Sequence, residues 1–165
     1  MKVVERHEKE AWICMYIKRW LKTPFITKDG QLIERKSGTP QGGVISPVLA
    51  NMFLHYVFDM WMKRNFPQAP FERYVDDGII HCQTKEEAVF IKENLAKRFA
   101  ECKLELHSVK TRIVYCKDKD RTRKEELSEF DFLGYTFKAV YIKCRDGKVR
   151  YNFIASVSKT SSKRF

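Results

Sequence analysis

Apolar residues recur along much of the chain with the spacing of helices. In residues 8–21 they fall at i, i+3, i+4 and i+7, which predicts an amphipathic helix that Pro24 ends. Residues 47–64 are apolar on nearly every face and predict a buried helix. A capping box that begins at Thr84 predicts a third helix over residues 84–101.

Shorter runs of β-branched and aromatic residues predict strands between these helices and after them. Asp29-Gly30 and Asp146-Gly147 each lie between two such runs and predict the turn of a hairpin. Gly134 predicts a bend in its strand or a close approach of the backbone. A further turn, which contains Lys110, is predicted between the strands at residues 104–106 and 112–115. The predicted strands cover residues 25–27, 31–33, 104–106, 112–115, 130–137, 140–143 and 148–153. Helices followed by hairpins indicate an α+β fold.

Two adjacent acids, Asp76 and Asp77, interrupt a further pair of strand-like runs, residues 74–75 and 79–80. The pair therefore falls at the turn of a predicted hairpin, and Gly78 can adopt positive φ there. Neighbouring negative charges repel each other, and a bound divalent cation would remove that cost. The acid pair is a candidate metal site, with a solvated turn as the alternative.

A glycine-rich and proline-rich loop occupies residues 37–47 and precedes the longest apolar helix. Ser46 is predicted as its N-cap and Pro47 as its first helical residue. Free backbone N–H groups at such a loop can bind phosphate, although no Walker A sequence is present. A tight turn into a core helix is the alternative interpretation.

Composition narrows the possible partners and location. The 165 residues are 44% apolar, which is typical of a packed domain, and they carry a net charge of +11, which favours a nucleic-acid partner. The five cysteines are scattered and support neither a disulfide framework nor a zinc site. No apolar run long enough for a membrane span and no signal peptide are evident, so a cytoplasmic location is expected. Residues 117–126, nearly all charged, predict a solvated loop.

Four motifs in this order resemble those of reverse transcriptases, most closely the bacterial group II intron (retron-type) class. They are the loop and helix start at 39–51, Tyr74-Val75-Asp76-Asp77, Lys110-Thr111 and Phe132-Leu133-Gly134-Tyr135. The resemblance implies a polymerase palm-like antiparallel sheet with packed helices. It also implies that residues 1–155 form a partial palm domain and that 156–165 are a basic tail leading toward a thumb.

The resemblance further implies RNA-directed DNA synthesis, a nucleotidyl transfer by the two-metal mechanism with Mg²⁺ or Mn²⁺. The implied partners are an RNA template, a DNA primer and deoxynucleoside triphosphates, with no membrane. Asp76 and Asp77 would be metal ligands, and Lys110 would act near the nucleotide phosphates. Gln41, Gly42 and Tyr74 would line the nucleotide site, whereas Ser46, Pro47, Leu133 and Gly134 would contact template or primer.

One departure from the family pattern suggests an incomplete catalytic site. The family takes another metal-binding aspartate from a strand upstream of the glycine-rich loop, and this chain is expected to begin after that strand. Five aspartates elsewhere in the chain are not credible substitutes: Asp29, Asp59, Asp118, Asp120 and Asp131. We therefore expect a cut, split or decayed polymerase that is inactive or nearly so alone.

Two alternatives remain open. The chain could be a non-catalytic RNA-binding module, similar to the maturase role in intron splicing that the same class carries. Its RNA affinity would then fall linearly with salt on logarithmic axes and would not change in Asp76→Asn. It could also be an inert remnant, which would show no RNA affinity even at low salt.

The absence of an upstream strand would leave a sheet edge exposed, and exposed edges pair with other chains. We therefore predict self-association through that edge. Light scattering over a range of concentrations measures it, and a monomer at all concentrations would contradict the prediction.

Overall fold

A computed structural model describes residues 1–34, 38, 43–117, 127–143, 147 and 149–158 of the chain, without the side chains of residues 150 and 151. The chain forms two compact units, Met1–His81 and Cys82–Phe165. Helices and small antiparallel sheets occur together, which confirms the predicted α+β class.

The first unit begins with two helices, α1 (Lys2–His7) and α2 (Ala11–Lys22). Helix α2 confirms the helix predicted over residues 8–21, but it begins at Ala11, and its face with Trp12 and Tyr16 is exposed. Its buried Ile17 packs in a cluster with Val4 of α1 and with Leu49. Helix α1 was not predicted, because its six residues are too few to show a helical period.

The predicted hairpin around Asp29-Gly30 is present but short. Strands β1 (Phe25–Ile26) and β2 (Leu32–Ile33) pair in antiparallel register. Gly30 has a φ of 80°, a left-handed conformation that suits glycine, and its N–H donates to the Thr27 carbonyl at 3.0 Å.

The helix predicted over residues 47–64 consists of three consecutive segments. Helix α3 (Ser46–Leu54) leads into a π-helical segment (His55–Asp59), and α4 (Met60–Asn65) follows. The N-cap is Ile45, so the prediction that Ser46 caps the helix was wrong: Ser46 is its first residue, and it is buried.

Burial of this long helix is also less complete than its sequence suggested. Besides Ser46, four apolar side chains form a buried set, whereas Val48 and Phe53 are exposed. Some apolar side chains on the other faces of this helix are therefore left exposed to solvent. The buried set is Leu49, Val57, Phe58 and Met62.

Two further strands complete the first unit, β3 (Phe71–Tyr74) and β4 (Asp77–Ile80). They form a hairpin of their own, and β3 packs on the π-helical segment through the rings of Phe71 and Phe58, whose centroids lie 5.1 Å apart. Ring pairs with this edge-to-face geometry are favourable.

The second unit begins with helix α5 (Lys85–Glu101), as the capping box predicted. The Thr84 hydroxyl accepts from the Glu87 N–H at 3.1 Å, and the Glu87 carboxylate accepts from the Gln83 N–H at 2.8 Å. The first bond satisfies a free N–H group of the first helical turn, and the second ties the residue before the cap to the same turn.

The strands predicted at 104–106 and 112–115 were wrong, because these residues have an irregular backbone. The turn predicted between them is present over residues 108–110 and includes Lys110. Of the predicted charged loop, only Lys117 belongs to the described residues.

A three-stranded antiparallel sheet follows, with the order β5 (Glu129–Phe132), β6 (Tyr135–Lys143) and β7 (Val149–Val157). The hairpin predicted around Asp146-Gly147 is confirmed by the pairing of β6 with β7. The single strand predicted over residues 130–137 is instead two strands, because a turn at Leu133 and Gly134 separates β5 from β6. The tail predicted from Ser156 begins inside β7, and residues 159–165 lie outside the described part.

None of the helices in the described part of the chain has both the length and the apolar character needed to cross a bilayer.

Replacing Met62 tests the core of the first unit. Met62 is 0% exposed, so we expect Met62→Ala to lower the free energy of unfolding by about 2–5 kcal/mol, through lost burial and a residual cavity. Met15, which is 41% exposed on α2, provides the control. Met15→Ala should change that free energy by only about 0.5 kcal/mol. Urea titration measures both variants, and equal losses would contradict the assignment of Met62 to the core.

Candidate active site

The acid pair lies on the hairpin formed by β3 and β4. Tyr74 pairs with Asp77, so the turn consists of Val75 and Asp76, while Asp77 is the first residue of β4. At the open end of the hairpin, the His81 N–H donates to the Pro70 carbonyl at 2.8 Å. The pattern of residues 74–80 thus predicted the hairpin correctly but placed Asp77 one position too far into the turn.

The unusual backbone in this turn belongs to Val75 and not to glycine. Val75 has a φ of 55°, whereas Gly78 lies within β4 opposite Arg73 and has no positive φ. A positive φ at the first turn residue alone is the sign pattern of a type II′ turn, which matches the twist of a hairpin. Because valine is β-branched, this conformation costs about 1–3 kcal/mol.

The acidic side chains themselves are open to solvent. Asp76 and Asp77 are exposed, and Tyr74 beside them is 60% exposed. Within the part of the chain that the structure describes, no hydrogen bond or ion pair engages either carboxylate. Both groups are therefore available to an external cation.

Their chemistry suits Mg²⁺ as part of a ligand set. Magnesium prefers oxygen ligands and commonly takes one or two carboxylates together with water and substrate phosphates. Among the described residues, no group of three or more His, Cys, Asp or Glu side chains could hold a metal ion. Asp76 and Asp77 fit as two ligands that need further oxygen atoms from another source.

Beneath the turn, Arg73 forms a network of hydrogen bonds that the sequence analysis missed. Its Nε and Nη2 donate to the two carboxylate oxygens of Asp59, each at 2.7 Å. Its Nη1 donates to Asn51 Oδ1 at 2.8 Å and to the Val75 carbonyl at 2.7 Å. Only 13% of the Arg73 side chain and 16% of the Asp59 side chain are exposed.

Strand alternation explains why this arginine points inward. Side chains at successive strand positions face opposite sides, so Arg73 shares the packed face with Phe71, whereas Tyr74 faces outward. A cation on a packed face needs an acid, and Asp59 is the acid in the apolar helix. That combination was the signal available in the sequence.

The ionisation of this pair follows from its contacts. Partial burial raises the pKa of the Asp59 carboxyl, but the hydrogen bonds and charge of Arg73, followed by those of His55, outweigh it and hold the pKa below its usual value. The hydrogen bond with Asp59 raises the pKa of Arg73 despite desolvation. His55 Nδ1 lies 3.3 Å from Asp59 Oδ2.

The other predicted site residues that the structure describes lie in both units of the chain. Ser46 and Pro47 begin α3 in the first unit, where Ser46 is buried and Pro47 exposed. Lys110 lies in the second unit with an exposed side chain, and its N–H donates to His107 Nδ1 at 3.4 Å. Gln41 and Gly42 lie outside the described residues.

Leu133 and Gly134 form the two-residue turn between β5 and β6. Their φ values are 50° and 81°, the sign pattern of a type I′ turn. Leu133 is exposed, and the Gly134 carbonyl accepts from the Ser158 N–H at 2.9 Å. The structure thus brings Tyr74, Asp76 and Asp77 together on one hairpin and puts Leu133 and Gly134 on another.

Comparison with known families identifies one match. A family model described as reverse transcriptase (RNA-dependent DNA polymerase) matches residues 4–137, most of the chain. This range contains the acid hairpin, Lys110 and the β5–β6 turn. A search of curated proteins found no match.

The lowered pKa of Asp59 predicts how stability depends on pH. The contribution of ionised Asp59 to the free energy of unfolding is fully present above pH 3.8, the ordinary pKa of an aspartate. It is lost as the pH falls through the lower pKa that Asp59 has in the folded state. Asp59→Asn should lower the free energy of unfolding at neutral pH by about 1.5–3 kcal/mol, and its difference from wild type should shrink in acid. Urea titrations at several pH values measure this. Asp29→Asn, in the exposed β1–β2 turn, is the control, and a pH-independent difference for Asp59→Asn would contradict the prediction.

Proposed function

The chain belongs to the reverse transcriptase family, the RNA-dependent DNA polymerases, and we propose on this basis that its β3–β4 hairpin carries part of a nucleotidyl-transfer site. The observation that carries the proposal is the exposed carboxylate pair, which has no partner among the described residues and lies on a strained turn within the family match. Strained backbone is found preferentially at functional sites.

Asp76 is proposed as the principal metal ligand and Asp77 as its partner. When bound, Mg²⁺ or Mn²⁺ supplies charge stabilisation to the oxygen atoms that attack and leave during phosphoryl transfer. The hairpin presents both carboxylates to solvent, where substrate phosphates and another carboxylate can complete the ligand set. This is why we propose that the chain alone has little or no polymerase activity.

Substrate contacts are proposed from the family motifs. Tyr74, exposed beside the acids, would contact the nucleotide together with Gln41 and Gly42. Lys110 is an exposed cation of the kind that neutralises charge on a leaving phosphate. Ser46 and Pro47 would lie near the template, and the exposed turn at Leu133 and Gly134 would contact the primer.

The group II intron (retron-type) class is the finer assignment that we propose. It rests on the sequence of residues 39–51, where the loop and the first turns of α3 match the motif of that class. The class also includes splicing factors. The net charge of +11 therefore favours a second candidate function, a maturase-like RNA-binding module that needs no metal.

Binding of Mn²⁺ distinguishes the two functions. With primer–template and nucleotide present, we expect Asp76→Asn and Asp77→Asn each to weaken Mn²⁺ binding by at least about 10–100-fold, the range seen when outer-shell partners of a metal site are lost. Water-proton relaxation measures the affinity, and Asp29→Asn is the control on an exposed turn. Equal affinity in wild type and Asp76→Asn would overturn the proposed metal role.

Two further measurements complete this comparison. Primer extension on an RNA template should give little or no product, and robust synthesis would contradict the proposed incompleteness. RNA affinity measured across salt concentrations tests the second function. Salt-dependent binding that is independent of both carboxylates, together with the absence of a Mn²⁺ site, would favour the RNA-binding module.

A further inference from the structure

The strained turn is held from below by a side chain that is not among the proposed substrate or metal contacts. We propose that Arg73 is a positioning residue: braced by Asp59 and Asn51, its guanidinium group fixes the Val75 carbonyl and thereby holds the turn that presents Asp76. That the turn presents a metal ligand rests on the proposed function, whereas the control of its backbone by Arg73 does not.

The contacts leave the guanidinium group little freedom. Asp59 engages Nε and Nη2 through both carboxylate oxygens, each at 2.7 Å, which fixes the plane of the group. Nη1 then bridges Asn51 and the Val75 carbonyl at 2.8 and 2.7 Å. The helix thus determines where the carbonyl of the first turn residue can lie.

Such a restraint is needed because the turn is unfavourable by itself. Valine at a φ of 55° persists only where surrounding contacts over-determine its conformation. Among the described contacts, the side-chain hydrogen bond that the Val75 carbonyl accepts comes from Arg73. Loss of that bond would allow Val75 to return to negative φ and would redirect Asp76, the next residue.

The π-helical segment accounts for two partners on one helix reaching the same group. Asn51 and Asp59 are eight positions apart, and in a regular α-helix such positions are offset by about 80°. The segment His55–Asp59 winds more loosely, with i→i+5 bonding, which reduces that offset. Both oxygen-bearing side chains therefore face β3.

Lysine cannot reproduce this arrangement. Its ammonium group is a single point of charge, whereas arginine offers a planar fork of donors that can engage a carboxylate and two further acceptors together. Arg73→Lys consequently keeps the positive charge but removes the planar arrangement of hydrogen-bond donors. This makes it the informative substitution.

Nuclear magnetic resonance of the full chain reports the turn directly. A residue with positive φ gives a strong intraresidue NOE between its amide and Hα protons. We expect wild type to show this signal at Val75, Arg73→Lys to lose it and Asn51→Ala, which removes only one contact, to weaken it. Arg98→Lys is the matched control, because the Arg98–Glu101 pair lies on α5 in the second unit. A wild-type signal at Val75 in both Arg73→Lys and Asn51→Ala would overturn the proposal.

A second measurement separates positioning from mere support of the fold. Arg73→Lys should weaken Mn²⁺ binding by about 10–100-fold, as expected for loss of an outer-shell partner. Adding Val75→Gly should restore most of that affinity, since glycine adopts positive φ without the steric cost of valine. Failure of this rescue, with the Val75 signal unaffected by Arg73→Lys, would overturn the inference. A wild-type chain that binds no Mn²⁺ would refute the proposed function instead, and the Val75 signal would still decide the role of Arg73.

Discussion

The pairing of Arg73 with Asp59 is the interaction on which the acid hairpin depends. It joins the π-helical segment to β3, and the same guanidinium group reaches the backbone of the turn. A partly buried arginine needs a fixed acceptor set, and the chain provides a carboxylate, an amide and a carbonyl from three separate segments. The exposed acids can therefore lie on a strained turn, because side chains that are largely shielded from solvent hold the backbone of that turn in place.

Much of this architecture could be predicted from local pattern. Helix α2, helix α5 with its Thr84 cap and the hairpins at β1–β2 and β6–β7 follow from periodicity, capping and Asp-Gly turns, which are short-range effects. The acid hairpin was predictable for the same reason. Family membership was evident in the sequence as well, because its motifs are contiguous and ordered.

What could not be predicted depends on contacts distant in sequence or on unusual backbone. The π-helical segment has no local signal, since its looser winding brings Asn51 and Asp59 toward one arginine. The positive φ lies at Val75, although Gly78 is the residue of this turn region that adopts such a conformation most easily. The turn at Leu133 and Gly134 was hidden within an uninterrupted run of strand-forming residues. Roles that remain predictions, such as those of Lys110 and Gln41, depend on substrates.

The π-helical segment also has a consequence for how this region can change in length. Inserting or deleting one residue between Asn51 and Asp59 would rotate one of them by about 100° about the helix axis and remove an acceptor from Arg73. Point substitutions elsewhere on the exposed faces of the helix do not change the angle between Asn51 and Asp59 about the helix axis. Related sequences should therefore tolerate gaps in the short β1–β2 turn but share a constant spacing here, and covariation should link positions 51, 59 and 73.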